Sequence, residues 1–382
     1  MESLSYLYIA LIFLAGLFLA SKTAARIKNN IVYVIFIEHM VFSYLFFLYA
    51  KTHSADANMY YAKALMESSL LMAFGTDTQF IIFLTTFFVN FGFSKLATFF
   101  MFALLGFVGL QYLIRMLDYS RLSFFGYPLV FLVLLLPGFH FWTSALGKDS
   151  LVFLFLMMSF YALQKINKRW SLLVIAFLFL ALIRPHIGFV ILLSIFVALF
   201  LQNPLKYKLT HFVSGFVVLG LIILSLPFLS TFLNVEQLEL DAVNERLEFY
   251  SEYGANKADQ VSSYIDVSSY SLPLKMFAYL FRPLFFDAHS VLQLLASFEN
   301  LFLFFIIYKW LVSIKFKVRK WYKYLHLPDK ILFVYFILGW LVLAASMYNL
   351  GLASRQKYML IPVLFILIFR NLQYSKNREF HK

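Results

Sequence analysis

Five short polar groups interrupt a chain that is otherwise apolar, and each carries side chains able to hold an anion or move a proton. They are Asp56 with Asn58, Lys148-Asp149, Arg184-Pro185-His186, Arg282 with Asp287 and His289, and Arg355-Gln356-Lys357. A charge beside hydrocarbon is costly, so such residues pair or line a cavity. Arginine and lysine neutralise phosphate oxygens, arginine through two parallel N–H donors. A carboxylate within reach of a hydroxyl takes its proton. Together these types suit group transfer from a diphosphate. Lys148, Arg184, His186, Arg282, His289, Arg355 and Lys357 are the substrate-binding candidates, and Asp56, Asp149 and Asp287 are the alternatives for the base. Tyr60, Tyr61, Phe141 and Trp142 are available to stack on sugar faces.

Each group also has a plainer reading. Asp149 suits a helix N-terminus, where the dipole favours an anion. Gly147-Lys148-Asp149 lacks the upstream glycine and the following Ser or Thr of a phosphate-binding loop. Arg184-Pro185 and Arg282-Pro283 read as interface anchors beside helix breaks. His186 and His289 lack the spacing of metal ligands, so neither a metal nor a cofactor is expected. Glu38-His39, in the middle of an apolar run, reads as a buried structural pair in preference to a proton relay.

The elements that must position these groups are membrane helices. The 382 residues are 62% hydrophobic and only 13% charged, where a soluble domain carries roughly a quarter charged residues. Mean hydropathy is +0.81. The apolar runs are solid, not alternating, and many approach the roughly 20 residues that cross a bilayer. The expected fold is all-α: a polytopic transmembrane helical bundle forming one integral membrane domain, 1–382. About eleven spans are expected, at 4–20, 31–50, 96–116, 125–141, 151–163, 171–183, 187–201, 212–229, 291–307, 331–347 and 358–369. The apolar segment 80–93 is too short to stand upright and reads as re-entrant or interfacial. The first run follows no basic region and ends in no cleavage motif, so it reads as a retained helix. Asn234 to His289 is a long polar stretch; 231–280 reads as an extracytoplasmic loop whose acidic part, Glu236 to Glu252, forms a surface helix.

Lysine and arginine collect on the cytoplasmic side of such proteins. Alternate loops, starting with Lys22–Lys28 and ending with the basic tail, hold about 21 of the 32 Lys and Arg residues. That puts the N-terminus outside and the C-terminus inside, and all five polar groups on the outer face. Topology thus accounts for the net charge of +13, and nucleic acid is not an expected partner. There is no cysteine, which excludes disulfides and thiolate metal sites.

With these residues in view, the chain resembles bacterial polysaccharide polymerases of the Wzy and EpsG type. The resemblance rests on Phe74-Gly75-Thr76 with Phe80-Ile81, His140-Phe141-Trp142 with Gly147-Lys148-Asp149, Ile183-Arg184-Pro185-His186, Phe281-Arg282-Pro283 with Asp287, and Leu352-Ala353 with Arg355. It implies a polyprenyl-diphosphate-linked glycan as substrate and catalysis at the outer face of the bacterial cytoplasmic membrane. It also implies that outer-loop arginines, here Arg184, Arg282 and Arg355, handle the anionic donor. The odd span count departs from that family, whose termini both usually lie inside. The partners implied are the lipid bilayer and other polysaccharide-assembly proteins. Alternatives are a GT-C-like transferase using a polyprenyl-phosphate sugar, with Asp56 as base; a ligase; a lipid-linked sugar flippase; and a non-catalytic member of an export assembly. Charges on one face and the lack of an inverted repeat count against a flippase.

Overall fold

The computed structural model describes residues 2–67, 69–70, 73–117, 123–124, 127–201, 215–223, 270–347 and 349–379. The acidic run 236–252 and most of the expected loop 231–280 lie outside the described residues. Apart from a two-residue ladder, β1 (Ser123–Phe124) with β2 (Tyr127–Pro128), the described elements are helical. Six helices are long and apolar enough to cross a membrane, or up to eight if each of two bent pairs is one span. These are the helices of a multi-pass membrane protein. Their exposed residues agree, since α1 (Glu2–Ile27) turns Leu7, Leu11, Leu14 and Phe18 outward, and α2 (Ile31–Thr52) turns out Val34, Ile37, Val41 and Leu45. Lipid tails accept such faces at no cost, whereas water would not.

The chain divides into two compact units, Met1–Arg184 and Pro185–Lys382. In the first unit, α1 and α2 are followed by α3 (Asp56–Met66), α4 (Thr78–Asn90), α5 (Lys95–Met116), α6 (Leu129–Leu134), α7 (Pro137–Thr143), α8 (Lys148–Leu163) and α9 (Ile166–Ile183). The centre is α5, which packs against α1, α2, α4 and α8. Ser94 starts it by accepting the Ala97 N–H at 3.2 Å, as helix N-caps do. Gly106 and Gly109 let neighbours approach: a Cβ at Gly106 would stand 2.1 Å from the Thr143 carbonyl oxygen, and one at Gly109 2.8 Å from Phe153.

The expected span 125–141 is broken. Pro137 opens α7, and Leu136 before it is extended at φ −69°, ψ 121°, the conformation a residue preceding proline favours. A second break follows, and α7 and α8 meet at 104°. This elbow carries His140-Phe141-Trp142 on one arm and Lys148-Asp149 on the other. The short segment near 80–93 is α4, only 13 residues long.

The second unit holds α10 (Pro185–Phe200), a helical stretch 215–223, α11 (Leu272–Phe281), α12 (Val291–Ser313), α13 (Val318–Lys323), α14 (Leu327–Ala345), α15 (Leu350–Gln356) and α16 (Ile361–Glu379). Here α14 is the packing centre and touches α10, α11, α15 and α16. Trp340 of α14 donates its indole N–H to the Met276 carbonyl of α11 at 2.8 Å. Arg370 of α16 pairs with Asp329 of α14. The helix α12 runs to Ser313, past the expected end at 307, and α15 and α16 form the second bent pair, at 48°.

Candidate functional site

In the first unit, helix ends bring four charged side chains together. Arg184 closes α9, its N–H bonded to the Leu180 carbonyl at 2.7 Å. Lys148 and Asp149 open α8, where the helix dipole stabilises Asp149. Asp77 stands at the start of α4 with φ 56°, and its N–H donates to the Leu182 carbonyl at 2.6 Å. That bond ties the α4 start to the last turn of α9.

Two ion pairs result. Arg184 Nη2 donates to Asp149 Oδ1 at 2.9 Å, with both side chains at most 10% exposed. Lys148 Nζ donates to Asp77 Oδ2 at 2.6 Å, and Asp77 is 41% exposed. Burial alone would raise the Asp77 carboxyl. The hydrogen bond and charge of Lys148, with the Thr78 N–H and hydroxyl, outweigh it and hold the group below the usual carboxylate range. The cluster therefore opens to its surroundings on the Asp77–Lys148 side and closes on the Arg184–Asp149 side. The buried Tyr60 ring borders it, 3.5 Å from where a Cβ on Gly147 would stand.

The sequence groups Lys148, Asp149 and Arg184 as candidates, and the fold brings all three together. Asp77 is the added member. It shares the signal of Asp149, a lone carboxylate at the start of an apolar helix. Asp56 lies in the first turn of α3, while its neighbour Asn58 accepts from Lys95 Nζ at 2.7 Å and donates to the Ala50 carbonyl at 2.6 Å. Of the aromatic candidates, Phe141 is buried, its ring centre 4.7 Å from that of Phe46, so it is packing and not a sugar platform. Tyr61 donates to the Phe93 carbonyl at 3.4 Å, and Trp142 is half-buried.

The second unit builds a separate cluster where α11 ends. Arg282 donates from Nε to Asp287 Oδ2 at 2.9 Å and from Nη2 to Oδ1 at 2.5 Å, a two-point clamp. Its Nη1 donates to the Tyr270 hydroxyl at 2.9 Å, and Asp287 also accepts the Leu284 N–H at 2.8 Å. Burial pushes the Asp287 carboxyl up, but the Arg282 and Leu284 donors and the charges of Arg282 and His289 hold it below its ordinary range. A carboxylate accepting three N–H groups is built to orient Arg282 and is a poor proton acceptor.

The next residue joins this loop to a buried lysine. Asn300 of α12 donates to the Pro283 carbonyl at 2.9 Å, and its Oδ1 accepts from Lys357 Nζ at 2.5 Å. Lys357 is fully buried at the α15–α16 bend. Beside it Tyr358 donates to Glu299 Oε2 at 2.6 Å. Asn300 and Glu299 are not among the sequence candidates, although an acid in an apolar helix is a functional signal. His289 is exposed, its N–H bonded to Gln293 at 2.7 Å. His186 lies half-buried in the first turn of α10, and Arg355 half-buried on α15.

Among the described residues, no three His, Asp or Glu side chains converge as metal ligands. What these clusters offer is electrostatic: cations held ready for an anion, and carboxylates that position them. No protein-family model, curated protein or solved structure matches the chain.

Proposed function

We propose that the chain is a membrane glycosyltransferase that polymerises polyprenyl-diphosphate-linked oligosaccharide units at the outer face of the bacterial cytoplasmic membrane. In this reading the chain crosses the membrane about eleven times, and the connection 231–280 faces outward. The observation that carries it is the pairing of Lys148 and Arg184 at the α7–α8 elbow, each held by a carboxylate. Two cations fixed at the ends of apolar helices suit a diphosphate whose lipid tail lies in the bilayer.

The chemistry follows from the charges. Phosphate oxygens compete with Asp77 and Asp149 for Lys148 and Arg184. The acceptor hydroxyl attacks the anomeric carbon of the donor sugar, and the carbon–oxygen bond to the diphosphate breaks. The bond electrons leave with the diphosphate, where Lys148 and Arg184 stabilise the new charge. Asp149, released from Arg184, takes the hydroxyl proton. In the second unit, Arg282, already oriented by Asp287, is by itself a guanidinium ready for an anionic group.

The test is a gel of lipid-linked glycan from cells carrying Arg184→Gln, Asp149→Asn or Arg282→Gln in place of the wild-type chain. The reading expects single repeat units to accumulate on the outer leaflet. Full-length polymer from all three variants sinks it. Units trapped on the inner leaflet point to a flippase instead.

A further inference from the structure

The interior of the first unit holds two imidazoles that the charge cluster does not use. His39 of α2 and His140 of α7 are fully buried. Their Nδ1 atoms lie 3.0 Å apart. A proton must sit between two ring nitrogens at that distance, or two lone pairs would face each other.

The surrounding groups fix where each proton is. His140 Nε2 lies 2.7 Å from the Leu134 carbonyl oxygen, which can only accept, so this nitrogen carries hydrogen. In a neutral His140 the Nδ1 atom is then the acceptor, and His39 Nδ1–H is the donor. His39 Nε2 is left as a bare lone pair, buried with no hydrogen-bond partner. Ala103 offers its carbonyl to the ring, and a Cβ on Gly106 would stand 2.1 Å from the Thr143 oxygen and 3.0 Å from His39 Nε2. A buried lone pair with no donor is costly, and this nitrogen is the open position for an added proton. The counter-charge is at hand, because Glu38 Oε2 lies 3.6 Å from His140 Nε2.

The groups packed around the pair are otherwise apolar. From α5 come Phe107 and Gly106, from α2 itself Phe42, and from α7 Phe139. The next helices reach only the neighbouring rings, α1 through Phe13 on Phe36 and α8 through Phe153 on Phe139. Among the described contacts, the titratable groups facing the pair are His39, His140 and Glu38. Lys148 and Asp149 lie on the other arm of the elbow that carries His140.

We propose that His39, His140 and Glu38 form a proton-binding site in the apolar interior of the first unit, and that its proton holds the α7–α8 elbow in place. The proton taken up goes to His39 Nε2, giving an imidazolium that donates to His140 through Nδ1. Glu38 balances the charge. The site requires nothing of the glycan reading, so it stands or falls separately.

Nitrogen NMR of the full chain in lipid nanodiscs, with labelled histidine, tests it. Resonances are assigned by difference with His39→Gln and His140→Gln, each checked for a cooperative melt. As pH falls, His39 Nε2 is expected to move from the lone-pair to the N–H position while His140 Nε2 keeps its hydrogen throughout. A His39 Nε2 that keeps its lone pair until the protein unfolds overturns the site. In Glu38→Gln the midpoint is expected to drop by at least about one pH unit; an unchanged midpoint overturns the role of Glu38. Backbone hydrogen exchange across 137–150, corrected for its intrinsic pH dependence, reads the coupling. It is expected to be slower with the proton bound, and pH-independent in His39→Gln. A wild-type elbow whose exchange ignores the midpoint overturns the coupling.

Discussion

Asp77 and Lys148, 71 residues apart in the chain, meet at 2.6 Å. The contact joins the start of α4 to the start of α8, and the Asp77 N–H reaches back to Leu182, two residues before Arg184. One residue thus ties three helix ends to the cation cluster, through its carboxylate and its backbone N–H. Asp77 is partly exposed, so the pair contributes only about 0–1 kcal/mol to stability.

If the chain acts as proposed, Asp77→Asn is expected to lower glycan polymerisation by about tenfold or more while shifting the melting temperature by only a few degrees. The pH dependence has a definite sign. The Asp77 carboxyl is held below its ordinary value near 3.8, so its stabilisation is complete above that pH and is lost as pH falls through the lower folded value. Thermal melts in detergent should show the wild type losing its advantage over Asp77→Asn only under acid, below about pH 4. A loss centred near neutrality would show that another group controls the pair.

Arg184 and Asp149 should behave in the opposite way, because both are nearly enclosed. Removing one partner takes the counter-charge at 2.9 Å from a buried charge, at a cost of up to about 3–5 kcal/mol. Arg184→Gln and Asp149→Asn alone are each expected to destabilise strongly, and the double variant to recover a large part of the loss. Melting of the four proteins closes the cycle. Additive losses would mean that the two side chains do not share an interaction.

Some of this was legible in the sequence because it is local. Arg282 and Asp287 are five residues apart, and a lone arginine and acid beside a proline mark the loop that joins them. Lys148-Asp149 and Arg184-Pro185 stand out for the same reason, as charges at the ends of apolar runs. Which ends converge is not local, and so Asp77 carries no sign that it pairs with Lys148. His140 sits between Phe139 and Phe141 and reads as part of an aromatic run; its partner His39 is 101 residues away. The break in the expected span 125–141 is a different case. Pro137 is visible there, and its steric effect on Leu136 is enough to end the helix. Hydropathy averaged over a window hides a single proline, which is why the run reads as one span.

Arg282 and Asp287 separate clamp from base. Arg282→Lys keeps the charge but loses the two-point geometry, and polymerisation is expected to fall by about tenfold or more. Asp287→Asn turns an acceptor into a donor facing Arg282 and should also lower the rate. If Asp287 only orients Arg282, the pH–rate profile of Asp287→Asn keeps the limb that reports the base. Loss of that limb would make Asp287 the proton acceptor after all.

The tight seam along α5 yields the sharpest packing test. Gly106→Ala places a methyl 2.1 Å from the Thr143 carbonyl oxygen, which is backbone and cannot swing aside. Gly109→Ala meets Phe153 at 2.8 Å and the Leu154 backbone at 2.9 Å. Overpacking of this kind costs about 1–3 kcal/mol, and Gly106→Ala should sit at the upper end because α7 must shift as a whole. Gly215→Ala is the control: nothing among the described residues lies within 4 Å of the added methyl, and the position is helical, so the alanine is expected to stabilise by about 0.4–1 kcal/mol. Melting temperatures should therefore rank Gly215→Ala above wild type, wild type above Gly109→Ala, and Gly106→Ala lowest. The Gly106 methyl also stands 3.0 Å from His39 Nε2, so the same variant should disturb the histidine resonances while Gly109→Ala leaves them in place. If Gly106→Ala melts with the control, Thr143 does not pack on α5 as described, and the elbow, the imidazole pair and the charge cluster beyond it lose their common support.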